Sequence, residues 1–189
     1  FRKGGKRDYR REEDKRMRRE SSFFWEERNK WFSDLWEIKG VKQKISNPQS
    51  RDRNASFPLE IPFRLINMYS QRGDTVLDPF FGLGTTTIAA MISERNSIGV
   101  EIDTALEQTI GANIDSLDIA DMNDIVAERL KRHLSFVHER EATGKEVKYD
   151  NTVLGCKVMT SQETDLRFSF LTGIKKEDET LTYTCYYRS

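Results

Sequence analysis

The sequence predicts an α/β fold built around one βαβ unit between Asp74 and Asp103. Three observations carry this. Thr75-Val76-Leu77 is a short β-prone run that enters a glycine-containing turn, Phe81 to Gly84. Thr85 to Ile92 then reads as a helix. Ser97-Ile98-Gly99-Val100 is a second β-prone run, and it ends in an acid, Glu101. Strand, glycine turn, helix, strand and acid, in that order, make a nucleotide-binding unit.

The elements around this unit follow from local pattern. Phe1 to Glu20 is charged and nearly free of aliphatic residues, which fits either a solvated helix or an unfolded tail. Ser21 to Trp36 holds Phe23, Phe24, Trp25, Trp31, Phe32 and Trp36, interleaved with charges. Ser22 is a candidate cap for a helix starting near Phe23. The aromatics fit core packing, and they also fit base stacking beside phosphate-binding cations. Trp36 is expected in the core, on a strand over Leu35–Ile38. Gly40 to Ala55 reads as a polar surface loop. Leu59 to Ser70 is a predicted helix with Ile61, Leu65, Met68 and Tyr69 on its apolar stripe, Pro62 in its first turn and Gly73 at the C′ position. After Glu101, Asp103 or Thr104 can cap a helix to about Ser116. Asp118 to Asp121 breaks the pattern. A longer helix runs from Met122 to Glu141, with Ile125, Val126, Leu130, Leu134 and Val137 on one stripe, and a Thr143-Gly144 turn closes it. Val147–Val158, Leu166–Leu171 and Leu181–Tyr187 read as three strands.

The turn itself selects a ligand. Gly82 and Gly84 permit positive φ and a close approach of the backbone. The helix that follows aims unpaired N–H groups at whatever lies there. Glu101, 23 residues after Asp78, is placed to accept hydrogen bonds from both hydroxyls of a ribose. The third glycine of the dinucleotide fingerprint is missing, and so is the Gly-Lys-Ser/Thr of a P-loop. Asp78, just before the turn, would repel a pyrophosphate and attract an ammonium. A nucleoside carrying a positive amine satisfies these constraints, which describes S-adenosylmethionine (AdoMet).

Asp78-Pro79-Phe80-Phe81-Gly82-Leu83-Gly84-Thr85-Thr86 resembles the AdoMet motif of the amino-methyltransferases that modify the exocyclic nitrogen of cytosine or adenine in DNA. Ala55 to Pro62 resembles the His-Pro-Ala-x-Phe-Pro-x-Glu-Leu-Pro segment of that family, with Asn54 and Arg53 replacing its Pro and His. Asp34-Leu35-Trp36-Glu37-Ile38 resembles its Asp-Val-Trp-x-Ile segment. The resemblance covers roughly residues 34–114. It implies a Rossmann-like AdoMet-dependent methyltransferase sheet with flanking helices, plus a small C-terminal β appendage. It also implies cofactor-binding roles for Phe57, Asp78, Pro79, Phe80, Gly82, Gly84, Thr85, Thr86 and Glu101. The family's catalytic tetrapeptide, Asp, Asn or Ser followed by Pro-Pro and an aromatic residue, is missing. No Pro-Pro occurs, and Asn47-Pro48-Gln49-Ser50 is no substitute. In one permuted class of these enzymes the catalytic segment comes first and the AdoMet segment last. The chain therefore resembles the C-terminal part of such an enzyme, with the catalytic motif expected upstream or on a partner chain. The expected division is residues 1–40 as a basic, aromatic segment, 41–141 as the AdoMet-binding core and 142–189 as the β-rich appendage.

Composition narrows the rest. The 189 residues carry zero net charge, but residues 1–20 hold ten Lys and Arg against five Asp and Glu, which leaves −5 on the remainder. A basic segment on a near-neutral body suits DNA, through Arg2, Lys3, Lys6, Arg7, Arg10 and Arg11. No apolar run is long enough to cross a membrane, no secretory signal pattern is present, and a cytoplasmic, DNA-associated location is expected. Cys156 and Cys185 have no metal-ligand spacing, and His133 and His138 read as packing or surface residues, so no metal site is expected. Two other readings remain open: a non-catalytic DNA-binding or specificity subunit that has kept the fold, and a methyltransferase acting on RNA or protein. Between cytosine and adenine, the stretch from Trp36 to Pro62 leans towards cytosine.

Overall fold

A computed structural model describes residues 7–39, 57–177 and 180–188. The predicted βαβ unit is present. Strand β1 (Thr75–Asp78) pairs in parallel with β2 (Asn96–Gly99), in the register Thr75↔Asn96 to Asp78↔Gly99. The helix between them, taken with those around it, fixes the numbering α1 (Glu12–Glu20), α2 (Trp25–Trp31), α3 (Glu60–Tyr69), α4 (Thr85–Ile92), α5 (Glu107–Asp115) and α6 (Ile119–Ala142). The C-terminal part forms two antiparallel hairpins, β3 (Tyr149–Asn151) with β4 (Cys156–Val158), and β5 (Phe170–Lys176) with β6 (Tyr183–Arg188).

α4 lies across one face of the β1–β2 pair, because Ala89, Ala90, Met91 and Ile92 on it are apolar almost all round and need cover on several sides. α3 packs beside it through Phe63 and Ile66, and α6 behind it through Met122 and Val126. Phe24 and Trp31 of the N-terminal part and Leu166, Phe168 and Leu171 of the C-terminal part enter the same apolar cluster. Arg95 bonds the backbone carbonyls of Ser70 and Ser93, which fastens the end of α3 to the end of α4. No helix among the described residues is long and apolar enough to cross a membrane.

Several expectations change. Residues 12–20 form a helix, so the tail alternative falls there. α2 starts at Trp25, and Ser22 does not cap it: Glu27 takes the Phe24 N–H at 3.0 Å, while the Ser22 hydroxyl is buried without a partner. Leu35 to Ile38 is not a strand. Trp36 is half-buried, held by its indole N–H on the Trp31 carbonyl and by Arg64 stacked over its ring. α3 buries Pro62, Phe63, Arg64, Ile66 and Asn67, whereas Leu65 and Tyr69 of the predicted stripe face solvent. The buried face is rotated because Arg64, paired with Glu60, and Asn67, bonded to the Phe63 carbonyl and Ser93, are polar residues that the packing satisfies. Gly73 has φ +76, but it serves the turn into β1; Ser70 ends α3. α6 begins three residues early because Asp118 caps it, accepting the Ala120 N–H at 2.7 Å. The run Val147–Val158 is a hairpin rather than one strand, turning through Gly155 at φ +66. The next strand starts at Phe170, four residues later than predicted. Gly40 to Ala55 lies outside the described residues.

Candidate functional site: the glycine turn between β1 and β2

β1 delivers Asp78 to the mouth of the turn, and the turn is tied down on three sides. Asp78 Oδ1 accepts the Phe80 N–H at 3.0 Å, and Oδ2 accepts the Thr86 hydroxyl at 2.6 Å, so one carboxylate spans the turn from its entry to the first turn of α4. The Phe81 N–H donates to the Val100 carbonyl at 2.9 Å, and the Val100 N–H to the Asp78 carbonyl at 2.9 Å, which anchors the turn to the end of β2. Glu101 closes the third side: it accepts the Gly82 N–H at 2.8 Å and the Asp103 N–H at 2.9 Å. The Asp103 and Gly82 amides hold its carboxyl below the usual range, so it is ionised at neutral pH.

Gly82 (φ +54) and Gly84 (φ +85) occupy the left-handed region, as their positions in the turn predicted. Gly84 is the N-cap of α4, which has no side-chain cap. The structure therefore brings Asp78, Gly82, Gly84, Thr86 and Glu101 into one bonded constellation, with Thr85 half-buried at the start of α4. Pro79 and Phe80 lie on the outside of the turn, and the Phe80 ring is 86% exposed. Phe57 is exposed at the start of the segment that leads into α3. Asp103 caps the 3-10 turn Thr104–Leu106 through the Ala105 N–H, the capping role expected for it.

One residue that sequence reasoning missed is Gly99. A Cβ there would lie 2.0 Å from the Phe81 ring, which rests directly on the strand. The available signal was a glycine inside a β-prone run, which marks a close approach. Beside β2 a cleft of about 870 Å³ opens, with Phe81, Glu101, Asp103 and, from the last hairpin, Tyr183 and Tyr187 among its lining residues. This is within the size range of small-molecule sites.

The predicted basic residues fare differently. Arg7 is held by both oxygens of Asp74, at 2.8 and 2.9 Å, just before β1. Arg10 and Arg11 are exposed and pair within their own segment, with Asp8 and Asp14. Arg2, Lys3 and Lys6 lie outside the described residues. Neither cysteine forms a disulfide, and no His, Cys, Asp and Glu group among the described residues could hold a metal ion.

The turn geometry agrees with what comparison of whole sequences finds. A family model described as DNA methylase, N6_N4_Mtase, matches residues 1–111, more than half of the chain. The chain belongs to this DNA methylase family. Among its relatives is the Type II methyltransferase M.MthZI of Methanothermobacter thermautotrophicus, 44% identical over 178 residues that cover 93% of this chain and 48% of the relative. The Type II methyltransferase M.MjaI of Methanocaldococcus jannaschii is 51% identical over 114 residues, 60% of this chain and 36% of that one. This DNA methylase chain thus spans about half the length, or less, of these curated relatives. Of solved structures, TTHA0409 of Thermus thermophilus, complexed with S-adenosyl-L-methionine, is 34% identical over an alignment that covers 58% of this chain and 39% of that one, at a TM-score of 0.46.

Proposed function

We propose that this chain is the cofactor-binding part of an AdoMet-dependent DNA amino-methyltransferase, one that methylates an exocyclic amino group, cytosine N4 in preference to adenine N6. Family membership supports the class of reaction. The observation that carries the cofactor reading is the pair of carboxylates fixed at the two strand ends, Asp78 and Glu101, on either side of a turn whose glycines leave the backbone open. The donor set fits the group. An ammonium is favoured beside Asp78, and Glu101 keeps free lone pairs for a ribose diol after accepting its two amide bonds. AdoMet, when bound, supplies a methyl group on a sulfonium centre, and the transfer to a neutral amine calls for no metal. The chain's own part is to bind and orient: Asp78 would hold the ammonium of the cofactor and Glu101 its ribose hydroxyls. Backbone from Phe80 to Gly84 approaches it, Thr85 and Thr86 stand at the helix start, and Phe57, Pro79 and Phe80 supply apolar surface around the pocket.

The Pro-Pro-aromatic tetrapeptide that would hold the target base lies, in this reading, outside this chain, upstream or on a partner. Residues 1–40 contribute to DNA contact through the basic cluster from Arg2 to Arg11, residues 41–141 form the AdoMet core, and residues 142–189 are an appended β region. That the relatives are named Type II methyltransferases supports a role for such an enzyme in restriction-modification.

Calorimetric titration with AdoMet tests the cofactor half. The chain is expected to bind, and Asp78→Ala and Glu101→Ala each to weaken binding by at least tenfold. Unchanged affinity in both variants would remove these carboxylates from the site. Transfer of labelled methyl to DNA, followed by nucleoside analysis, then tests the reaction: N4-methylcytosine is expected, and only once the catalytic segment is supplied.

A further inference from the structure

Arginines from four separate stretches of the chain line one small cavity of about 30 Å³: Arg72 before β1, Arg95 just before β2, Arg129 in α6 and Arg167 before β5. Buried like charges are costly unless each finds a counter-charge. Three of the four do. Arg129 holds both oxygens of Glu27, at 2.6 and 2.7 Å, Arg167 pairs with Glu20 at 3.0 Å, and Arg72 pairs with Glu94. Glu20 is shared, since its other oxygen takes Arg16 at 2.7 Å. Arg95 is the exception. It is 7% exposed, its guanidinium bonds the Ser70 hydroxyl and the Ser70 and Ser93 carbonyls, and no carboxylate among the described residues pairs with it. Burial, and then Arg129 and Arg72, push the Arg95 guanidinium down to about 9; burial, and then Arg167, push that of Arg72 down to about 10. Both remain charged at neutral pH, so the cluster keeps positive charge that the protein's own carboxylates leave uncompensated.

The cavity wall is also rich in hydrogen-bond donors. The Arg72 side chain is 7% exposed, and its Nε–H is buried without an acceptor. The Ser22 hydroxyl is in the same condition. Ser21, Ser93 and Ser169 already accept at their oxygens, from the Arg72 amide, the Asn67 side chain and the Arg72 guanidinium, which leaves their hydroxyl hydrogens to donate. Glu94 Oε2, the carboxylate oxygen on this wall that accepts no hydrogen bond, is committed to the Arg72 charge.

We infer that this cavity binds one small monovalent anion of chloride size, which supplies the missing counter-charge and joins the N-terminal segment, the βαβ unit and the C-terminal part. The volume has room for about two waters, so a monatomic anion fits and a tetrahedral oxyanion does not. The excess positive charge disfavours a cation. Neutral water would satisfy the donors but leave the charge of Arg95 unpaired. None of the lining residues belongs to the glycine turn, so the inference is independent of the cofactor reading.

Urea unfolding of the chain, in sodium chloride and in sodium gluconate at matched ionic strength, tests this. An anion bound by the folded state alone stabilises in proportion to the logarithm of its saturation, so chloride is expected to raise the midpoint above the gluconate series along a saturating curve. Bromide should reproduce the rise, and anomalous diffraction from crystals grown in bromide should place one ion against Arg72 Nε and Ser22 Oγ. Ser22→Ala removes a hydroxyl that bonds nothing in the protein, so the variant is expected to keep its fold in gluconate while its apparent chloride dissociation constant rises at least fivefold. Equal midpoints in chloride and gluconate, a chloride response that Ser22→Ala leaves unchanged, or ordered water alone in the cavity of the bromide crystals would each overturn the site.

Discussion

Gly99 and Phe81 show how much one missing side chain can decide. The Phe81 ring fills the space over Gly99, and its N–H holds the turn to Val100. A Gly99→Ala substitution forces the ring away from the strand, and it should destabilise the protein by about 1–3 kcal/mol, the usual range for an overpacked site. The urea midpoint measures this, and AdoMet affinity should fall with it because the turn moves. His133 is the other informative residue. It is fully buried, stacked on Phe24 at 3.7 Å, and bonded to Glu26 and to the Lys157 carbonyl at 2.8 Å each. Burial opposes its charge, but contacts with Cys156, Glu26 and Lys157 outweigh it and push the pKa up to about 10. A raised folded-state pKa stabilises fully below the unfolded value, about 6.5, and that stability is lost as pH rises towards 10. Wild-type stability should therefore drop more steeply from about pH 6.5 to pH 10 than that of His133→Gln; parallel slopes in denaturant titrations would show that the imidazole is neutral. Sequence reading had His133 as a packing or surface residue, and packing it is. Its three partners come from distant segments, which no local pattern announces.

At the level of elements, legibility followed the range of the interactions. The βαβ unit was readable because everything that makes it is local: β-prone runs, glycines at positions needing positive φ, and an acid at the next strand end. Asp103 was legible as a cap for the same reason. α3 was located correctly but its buried face was not, because Arg64 and Asn67 are polar residues whose partners, Glu60 and Ser93, offset the cost of burial. The start of α6 was missed although its cap, Asp118, was read as part of a break; a capping aspartate and a loop aspartate look alike until the helix after it is seen. In the C-terminal part, Asn151 bonds the carbonyls of Glu163 and Leu166 and the amides of Val153 and Leu154. That side chain organises the turn that splits one predicted strand into a hairpin, and hydropathy is blind to it. In the glycine turn, Gly82, Gly84, Asp78 and Glu101 were found by spacing, whereas Gly99 depends on a ring folded back from Phe81.

The whole molecule is held together across its length. Glu20 in α1 pairs with Arg167, Arg129 in α6 with Glu27, and Arg7 with Asp74, so the N-terminal segment is fastened both to the βαβ unit and to the C-terminal part. The last strand reaches back as well: the Tyr187 hydroxyl donates to the Met91 carbonyl at 2.8 Å, near the end of the helix that begins in the glycine turn. Anything that stiffens the turn at one end of α4 should thus be felt by the β5–β6 hairpin at the other. Trypsin offers a readout, since Lys175 and Lys176 end β5 and Arg188 ends β6. Saturating AdoMet is expected to slow cleavage there several-fold, and a Tyr187→Phe variant to lose most of that protection, making the end of the chain a reporter on the occupancy of a turn to which it contributes no residue.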